Sequence, residues 1–449
     1  MRAACAPLRY ATGAGSAQLP SRLPSSAWTA AEAEGLVALR SVAPELRITG
    51  GWVRDKLLEH TAVNPAAGDA WLRLRGLAGH PAGDIDVLVP SSSARAFHAA
   101  CRQDPGLRSR LRAPPLLIPA RGARSVDTVK LRLYGVDVDA VCLQVSDDAP
   151  QADWEEALQR DASGRDATCN ALYYDPRSEE ILDPCGSGLA DLGAGILRMP
   201  HPAGAAASLD DDPLRLLRAC RFAARFDFAL DDDLADIAAG GDEVERLRSV
   251  PRGRLLNEAK RALLLHNRPS AFLGTVGDGL HALLFGRVKG ARPSGEWRSG
   301  AWPAAVGRVR RLESLVLAGI ERRLLAARSE RWRDRSDGGP EAAMLAPDWR
   351  KMGLGESDWA ELLLATLLWR CDEVSVRGVG EDIRLSDAMV SNILRLQTQA
   401  RSTIMAVHTA PPGAHILRAA AAENLDAGDF WDRWPCSPAL RGERLARWR

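Results

Sequence analysis

Asp84 and Asp86, in Gly83-Asp84-Ile85-Asp86-Val87-Leu88-Val89, stand one residue apart at the start of an apolar run. Alternate side chains of a strand share a face, so both carboxylates project to one side while Ile85 and Val87 go to the other. Two carboxylates on one face make an oxygen cradle suited to Mg²⁺, which binds a few carboxylates together with substrate phosphates. Upstream, Leu46-Arg47-Ile48-Thr49 reads as a strand that runs into Gly50-Gly51 and then a helix beginning near Trp52. Glycines at such a turn let backbone N–H groups approach a triphosphate closely. An isolated Asp-x-Asp or Gly-Gly is usually just a strand end or a turn. The order strand, glycine turn, helix, acidic strand is what reads as a metal-dependent nucleotidyl-transfer site.

A two-metal site, with one ion at the attacking oxygen and one at the leaving oxygen, requires a third carboxylate. The hairpin-like segment 128–141 offers Asp137 and Asp139 on one face, with Asp139 the expected ligand and Asp137 its rival.

Farther along, Asp212 and Arg215 lie three apart at an expected helix start, which puts an acceptor beside a fork of donors on one face. Cytosine and adenine both present an exocyclic amine next to a ring-nitrogen acceptor. A carboxylate facing the amine and a guanidinium facing the ring nitrogen would accept both bases. Uracil and guanine present the reverse pattern and would leave polar groups unpaired, which is costly. From these residues alone the favoured reading is an N-terminal cap by Asp211 or Asp212, with Pro213 in the first turn, followed by a local ion pair. Only the order of motifs along the chain favours base reading, with which capping can coexist. The same helix carries Arg215, Arg218, Arg221 and Arg225 opposite Leu216, Phe222 and Ala223. That stripe is either a solvated amphipathic face or a set of arginines stacked on, or facing, phosphates and bases.

The segments 50–58, 83–89, 128–143, 165–174, 183–192 and 211–228 occur in an order that resembles the tRNA nucleotidyltransferase and poly(A) polymerase family. Gly-Gly-Trp-Val-Arg-Asp-Lys-Leu-Leu at 50–58 and Leu-Asp-Asp-Asp-Pro-Leu-Arg at 209–215 look most like class II CCA-adding enzymes of eukaryotic type. The resemblance implies an α+β fold, with an N-terminal head built on a small mixed β-sheet followed by α-helical neck, body and tail domains. It implies template-independent addition of C and A to the tRNA 3′ end from CTP and ATP, with Mg²⁺ as cofactor and release of pyrophosphate. Asp84 and Asp86 would hold the metal and Asp139 would complete the catalytic set. Gly50, Gly51, Arg54, Arg165, Asp166, Asn170, Asp212, Arg215 and Arg218 would bind the nucleotide. Arg165, Asp166 and Asn170 resemble the motif that holds the sugar, where a carboxylate can accept from the 2′-hydroxyl. Asp183, Gly188, Asp191 and Arg198 resemble the linker motif and are expected to be structural or hinge residues. A poly(A) polymerase or a partial CC- or A-adding enzyme would use the same site, and a catalytically inactive RNA-binding relative is the alternative from another class. Gly164, Ala167, Gln144 and Gly253 depart from the family pattern. None falls on Asp84, Asp86, Asp139, Asp212 or Arg215, so a diverged but active enzyme is expected.

At 449 residues the chain should form about three domains, at roughly 150 residues each. Expected are a disordered leader over 1–31, a nucleotidyltransferase head over 32–200, a helical base-reading and RNA-binding neck over 201–290, and a helical tRNA-binding body and tail over 291–449. A net charge of +1 gives no global field for nucleic acid, so any RNA surface must be local, as the arginine-rich segments 308–323 and 328–335 suggest. Eight cysteines stand singly, without zinc-ligand spacing, which argues for a reducing compartment and against structural zinc. No apolar stretch has membrane-spanning length. The first acidic residue is Glu32, a bias shared by organellar transit peptides and by unstructured leaders. Without a transit peptide the compartment would be cytoplasm or nucleus. Oligomeric state is not legible.

Overall fold

The computed structural model describes residues 19–62, 84–91, 93–120, 126–143, 150–239, 246–265, 269–276 and 385–408, with a few isolated positions between 306 and 377. The chain divides into two compact units, residues 9–237 and residues 238–449 with 1–8.

In the first unit, helix α1 (Ala30–Arg40) starts at a Thr29 capping box, where Thr29 Oγ1 accepts from the Glu32 N–H and Glu32 accepts from the Thr29 N–H. Strand β1 (Arg47–Thr49) then runs through Gly50 into α2 (Gly51–Ala62). Next come β2 (Ile85–Pro90), α3 (Ala94–Gln103), β3 (Leu116–Ile118) and the hairpin β4 (Thr128–Leu133) and β5 (Val136–Leu143). Helix α4 (Pro150–Ser163) precedes β6 (Tyr173–Asp175) and β7 (Glu180–Leu182). The seven strands form one sheet in the order β3-β4-β5-β2-β1-β6-β7. Only β2 and β5 pair in parallel, so the sheet is mixed and the fold is α+β.

The register sorts chemistry by face. Ile48, Val87, Ala140 and Val129 stand side by side across four strands and are all fully buried. Their neighbours Thr49, Asp86, Asp139 and Lys130 form the equivalent row on the other face. On that second face Tyr173 continues the row beside Thr49 and Leu88 lies one pleat on, and both join Trp154, Leu158 and Ala162 of α4 in a core cluster. The acidic row therefore lies at the rim of a packed face, anchored at one end and open at the other.

Residues 19–31 correct the expected disordered leader. Leu23 N donates to Glu179 O at 2.9 Å and Ile181 N donates to Ser21 O at 2.8 Å, so this segment covers the β7 edge. Leu23 is fully buried, and Trp28 meets Trp52 and Tyr174 edge-on at 5.8 and 5.4 Å. Buried Glu32 accepts from Trp52 Nε1 at 2.8 Å and pairs with Lys56 at 3.0 Å, while Lys56 donates to Ala27 O. Composition suggested a leader, but a leucine and a tryptophan that can cover an exposed strand edge gain more from burial than from staying solvated. Residues 1–18 lie outside the described residues.

After β7 come α5 (Gly188–Ala194), β8 (Ile196–Leu197), α6 (Ala205–Asp211) and α7 (Leu214–Phe226). The short strand β9 (Ala229–Leu230) returns to pair in parallel with β8. The first compact unit thus runs past residue 200 and includes α6 and α7.

In the second unit the described elements are helical, among them Arg252–Lys260, Pro269–Thr275 and Asp387–His408. The last overlaps 385–398, an apolar-periodic stretch that the sequence reads as helix. The stretch 68–83, which reads as a loop, the Gly-, Pro-, Ser- and Trp-rich stretches 290–303 and 333–341, which read as linkers, and most of 308–335 and of the helical pattern at 359–371 lie outside the described residues. No helix among the described residues is long and apolar enough to cross a membrane.

Candidate active site

Gly50 turns the chain with φ +74°, a left-handed conformation that an L side chain adopts only with strain. The close approach is equally demanding, because a Cβ built on Gly50 would fall 2.9 Å from Asp86 Oδ2. The turn between β1 and α2 is thereby pressed against the carboxylate on β2. Asp139 stands beside Asp86 in the parallel register, and Asp84 precedes β2 by one residue, exposed. Asp137 lies one pleat nearer the β4–β5 turn, beside Arg132, with which it pairs at 3.4 Å. The register therefore favours Asp139 over its rival.

Electrostatics agree with a cation site. Burial pushes the Asp86 carboxyl up, the neighbouring Asp139 and Asp84 carboxylates push it further, and Arg165 and Lys130 oppose them. Hard oxygen donors crowded by like charge suit a divalent cation. Among the described residues, though, no three ligating side chains converge on one point. At Asp139 the Lys130 ammonium donates to both carboxylate oxygens at 2.8 and 2.7 Å.

The sugar-motif residues join a second network. Arg218 donates from Nε and Nη2 to Asp166 Oδ2 at 2.8 and 2.6 Å, and Asn170 Nδ2 donates to Asp166 Oδ1 at 2.9 Å. Burial alone would raise the Asp166 carboxyl, but Arg218 and Asn170 hold it below the usual carboxylate range. Asn170 Oδ1 accepts in turn from Arg54, which pairs with Asp55 and stacks its guanidinium 4.3 Å from the Phe226 ring centre. Arg165 is gripped by Asp161 Oδ2 at 2.8 and 2.9 Å, and Tyr173 donates to the same oxygen at 2.7 Å. That grip keeps Arg165 more firmly charged than usual, next to Asp86.

Arg54 is 3% exposed and donates to Asp55 and Asn170. Two expectations need correction. Asp212 does not share a helical face with Arg215: its backbone is extended (φ −149°, ψ 101°) between α6 and α7, and Oδ1 caps the Leu214 N–H at 3.2 Å. Pro213 is the reason, because proline pushes the residue before it out of the helical region. The arginine stripe is neither solvated nor a bare RNA face. Arg218 holds Asp166, Arg221 is buried against Phe222 at 4.1 Å, and Arg225 lies over Phe226 and 3.8 Å from Asp55. Arg215 donates to Ser208 Oγ at 2.8 Å and to Gly164 O at 2.7 Å, tying α7 to the segment just before the sugar motif.

The linker residues are braces. Asp191 accepts from Thr168 Oγ1 at 2.8 Å and from Arg198 Nε at 3.2 Å, and Arg198 also reaches Asp231 at 3.1 Å. Of the departures, Gly164 uses a carbonyl, Ala167 is fully buried, and Gly253 has open space where a Cβ would go. Gln144 lies outside the described residues. Sequence reading missed Lys130, Asp161 and Asp55. Asp161 alone left a signal, four residues before Arg165 at the end of a helix.

Residues 46–198 match the family model of the poly A polymerase head domain. The multifunctional CCA protein of Stenotrophomonas maltophilia is 40% identical over 255 residues, 53% of this chain and 50% of that protein. The mitochondrial CCA tRNA nucleotidyltransferase of Saccharomyces cerevisiae is 34% identical over 206 residues, 42% of this chain and 32% of that protein. The matches thus span half or less of these curated relatives' length. A solved structure of a CCA-adding enzyme with CTP shares the fold, with a TM-score of 0.54 and 17% identity over 94% of this chain and 88% of that one.

Proposed function

We propose that this chain, which carries a poly(A) polymerase head domain over residues 46–198, adds C and A nucleotides to the 3′ end of tRNA from CTP and ATP without a nucleic-acid template. The observation that carries the proposal is the register of Asp86 beside Asp139, with the positive-φ turn at Gly50 against Asp86. Relatives named multifunctional CCA protein, from a bacterium, and mitochondrial CCA tRNA nucleotidyltransferase, from yeast, support it.

Asp84 and Asp86, with Asp139 once it leaves Lys130, would hold Mg²⁺, which when bound supplies positive charge to the attacking and departing oxygens. The tRNA 3′-hydroxyl gives up its proton to solvent as its oxygen bonds to the α-phosphorus in line, and the bond from that phosphorus to the bridging oxygen breaks so that pyrophosphate departs with that oxygen. Gly50 and Gly51 leave room for the triphosphate, and Arg165 offers positive charge beside Asp86. Asp166 and Asn170 face the sugar, and Asp212 and Arg215 read the base edge. The acid-free start of the chain and the mitochondrial yeast relative support an organellar location.

The test is incubation of a tRNA transcript lacking its terminal CCA with single and paired nucleotides. Two C additions from CTP, followed by one A from ATP, are expected. Continued A addition, or no incorporation, would overturn the reading.

A further inference from the structure

Lys130, Asp139, Asp86 and Thr49 stand in one row across β4, β5, β2 and β1, all on the face that carries the acidic pair. Lys130 is not an isolated surface lysine. Its ammonium sits 2.8 and 2.7 Å from the two oxygens of Asp139, and it is also within electrostatic reach of Asp84 and Asp137. Positive charge is therefore already present where three carboxylates would otherwise repel one another.

A carboxylate with both oxygens on an ammonium is partly neutralised, so a second cation must compete for its remaining lone pairs. Resting on the proposed metal site, we infer that Lys130 is a positioning residue, an internal cation that occupies the Asp139 carboxylate until an entering divalent ion displaces it. Two features make the displacement feasible. The Lys130 side chain is 44% exposed, so its ammonium can turn into water at little cost. Asp139 is anchored by the β5 ladder on both sides, so the carboxylate stays in register with Asp86 after the ammonium leaves. The consequence is a threshold: the site assembles fully only when the ion competes successfully with Lys130.

The experiment is Mn²⁺ titration of the full chain followed by electron paramagnetic resonance, without nucleotide or tRNA. Lys130→Met should bind Mn²⁺ roughly fivefold more tightly than the unaltered protein, the upper range for releasing a solvent-exposed ion pair. Lys130→Arg, which keeps the charge, should stay near the original affinity. Equal or weaker binding in Lys130→Met, with thermal unfolding unchanged, overturns the inference. Asp86→Asn separates the two ideas, because unchanged Mn²⁺ binding in that variant overturns the metal site itself. Loss of binding there, with no gain in Lys130→Met, overturns only the role of Lys130.

Discussion

Asp166 and Arg218 are locked in a two-pronged ion pair, with Nε and Nη2 of Arg218 at 2.8 and 2.6 Å from one carboxylate oxygen. The pair joins the sugar motif to helix α7 across 52 residues of sequence. Removing one partner strands the other. Asp166→Ala should lower stability by about 2 kcal/mol, less than a fully buried pair would cost because Arg218 reaches solvent. If Asp166 also accepts from the ribose, its CTP over dCTP preference should fall. Arg218→Met should match the stability loss and keep that preference. Unchanged selectivity in Asp166→Ala would leave this residue only a brace.

The same pair sets a pH response. The folded protein holds the Asp166 carboxyl below its ordinary value of 3.8. Its contribution is therefore complete above that pH and is lost as pH falls through the folded value. Urea unfolding between neutrality and pH 3 should show Asp166→Asn less stable than the unaltered protein at neutral pH, with the gap closing in acid. A gap independent of pH would contradict the pair.

Asp86 has the opposite sign. Burial and neighbouring carboxylates raise its folded value above the ordinary 3.8, so the protonated form favours folding and that gain is lost as pH rises. In chelator-treated protein at neutral pH, Asp86→Asn should melt higher than the unaltered chain, while nucleotide incorporation drops to background. Asp84→Ala and Asp139→Ala should also lose incorporation. A lower melting temperature together with retained turnover in Asp86→Asn would remove it from the site.

Asp212 and Arg215 test base reading. Alanine at either position should let UTP or GTP compete, with selectivity eroded by one to two orders of magnitude, since each lost charged hydrogen bond costs roughly 1.5 to 3 kcal/mol. The measurement is kcat/KM for all four nucleotides on tRNA lacking CCA. Equal losses for every nucleotide would mean that Asp212 only caps α7 and Arg215 only ties it to Ser208 and Gly164.

Leu23 tests the ordered entry segment. Leu23→Ala should cost about 2 to 4 kcal/mol, as for other fully buried leucines, read by chemical denaturation. A change under about 0.5 kcal/mol, the range of surface substitutions, would return residues 19–31 to a leader.

The sequence by itself determined the elements whose signals are local. The strand ending at Thr49, the glycine turn, the α2 helix and the strand through Asp86 follow from alternation, glycine and apolar runs within a few residues. The acidic pair was legible for the same reason. Tertiary structure decided everything that depends on which strands become neighbours. The parallel pairing of β2 with β5 puts Asp139 next to Asp86, and the antiparallel β4 brings Lys130 onto Asp139. It also decided which arginines face inward. A helical wheel shows a stripe, but only the packing of α7 against α2 and the sugar motif reveals that Arg218 meets Asp166 and Arg225 meets Asp55. Even the local reading of Asp212 changed, because Pro213 forbids the helical turn that the three-residue spacing assumed. Register and burial are properties of contacts between distant segments, and residue spacing within one segment does not encode them.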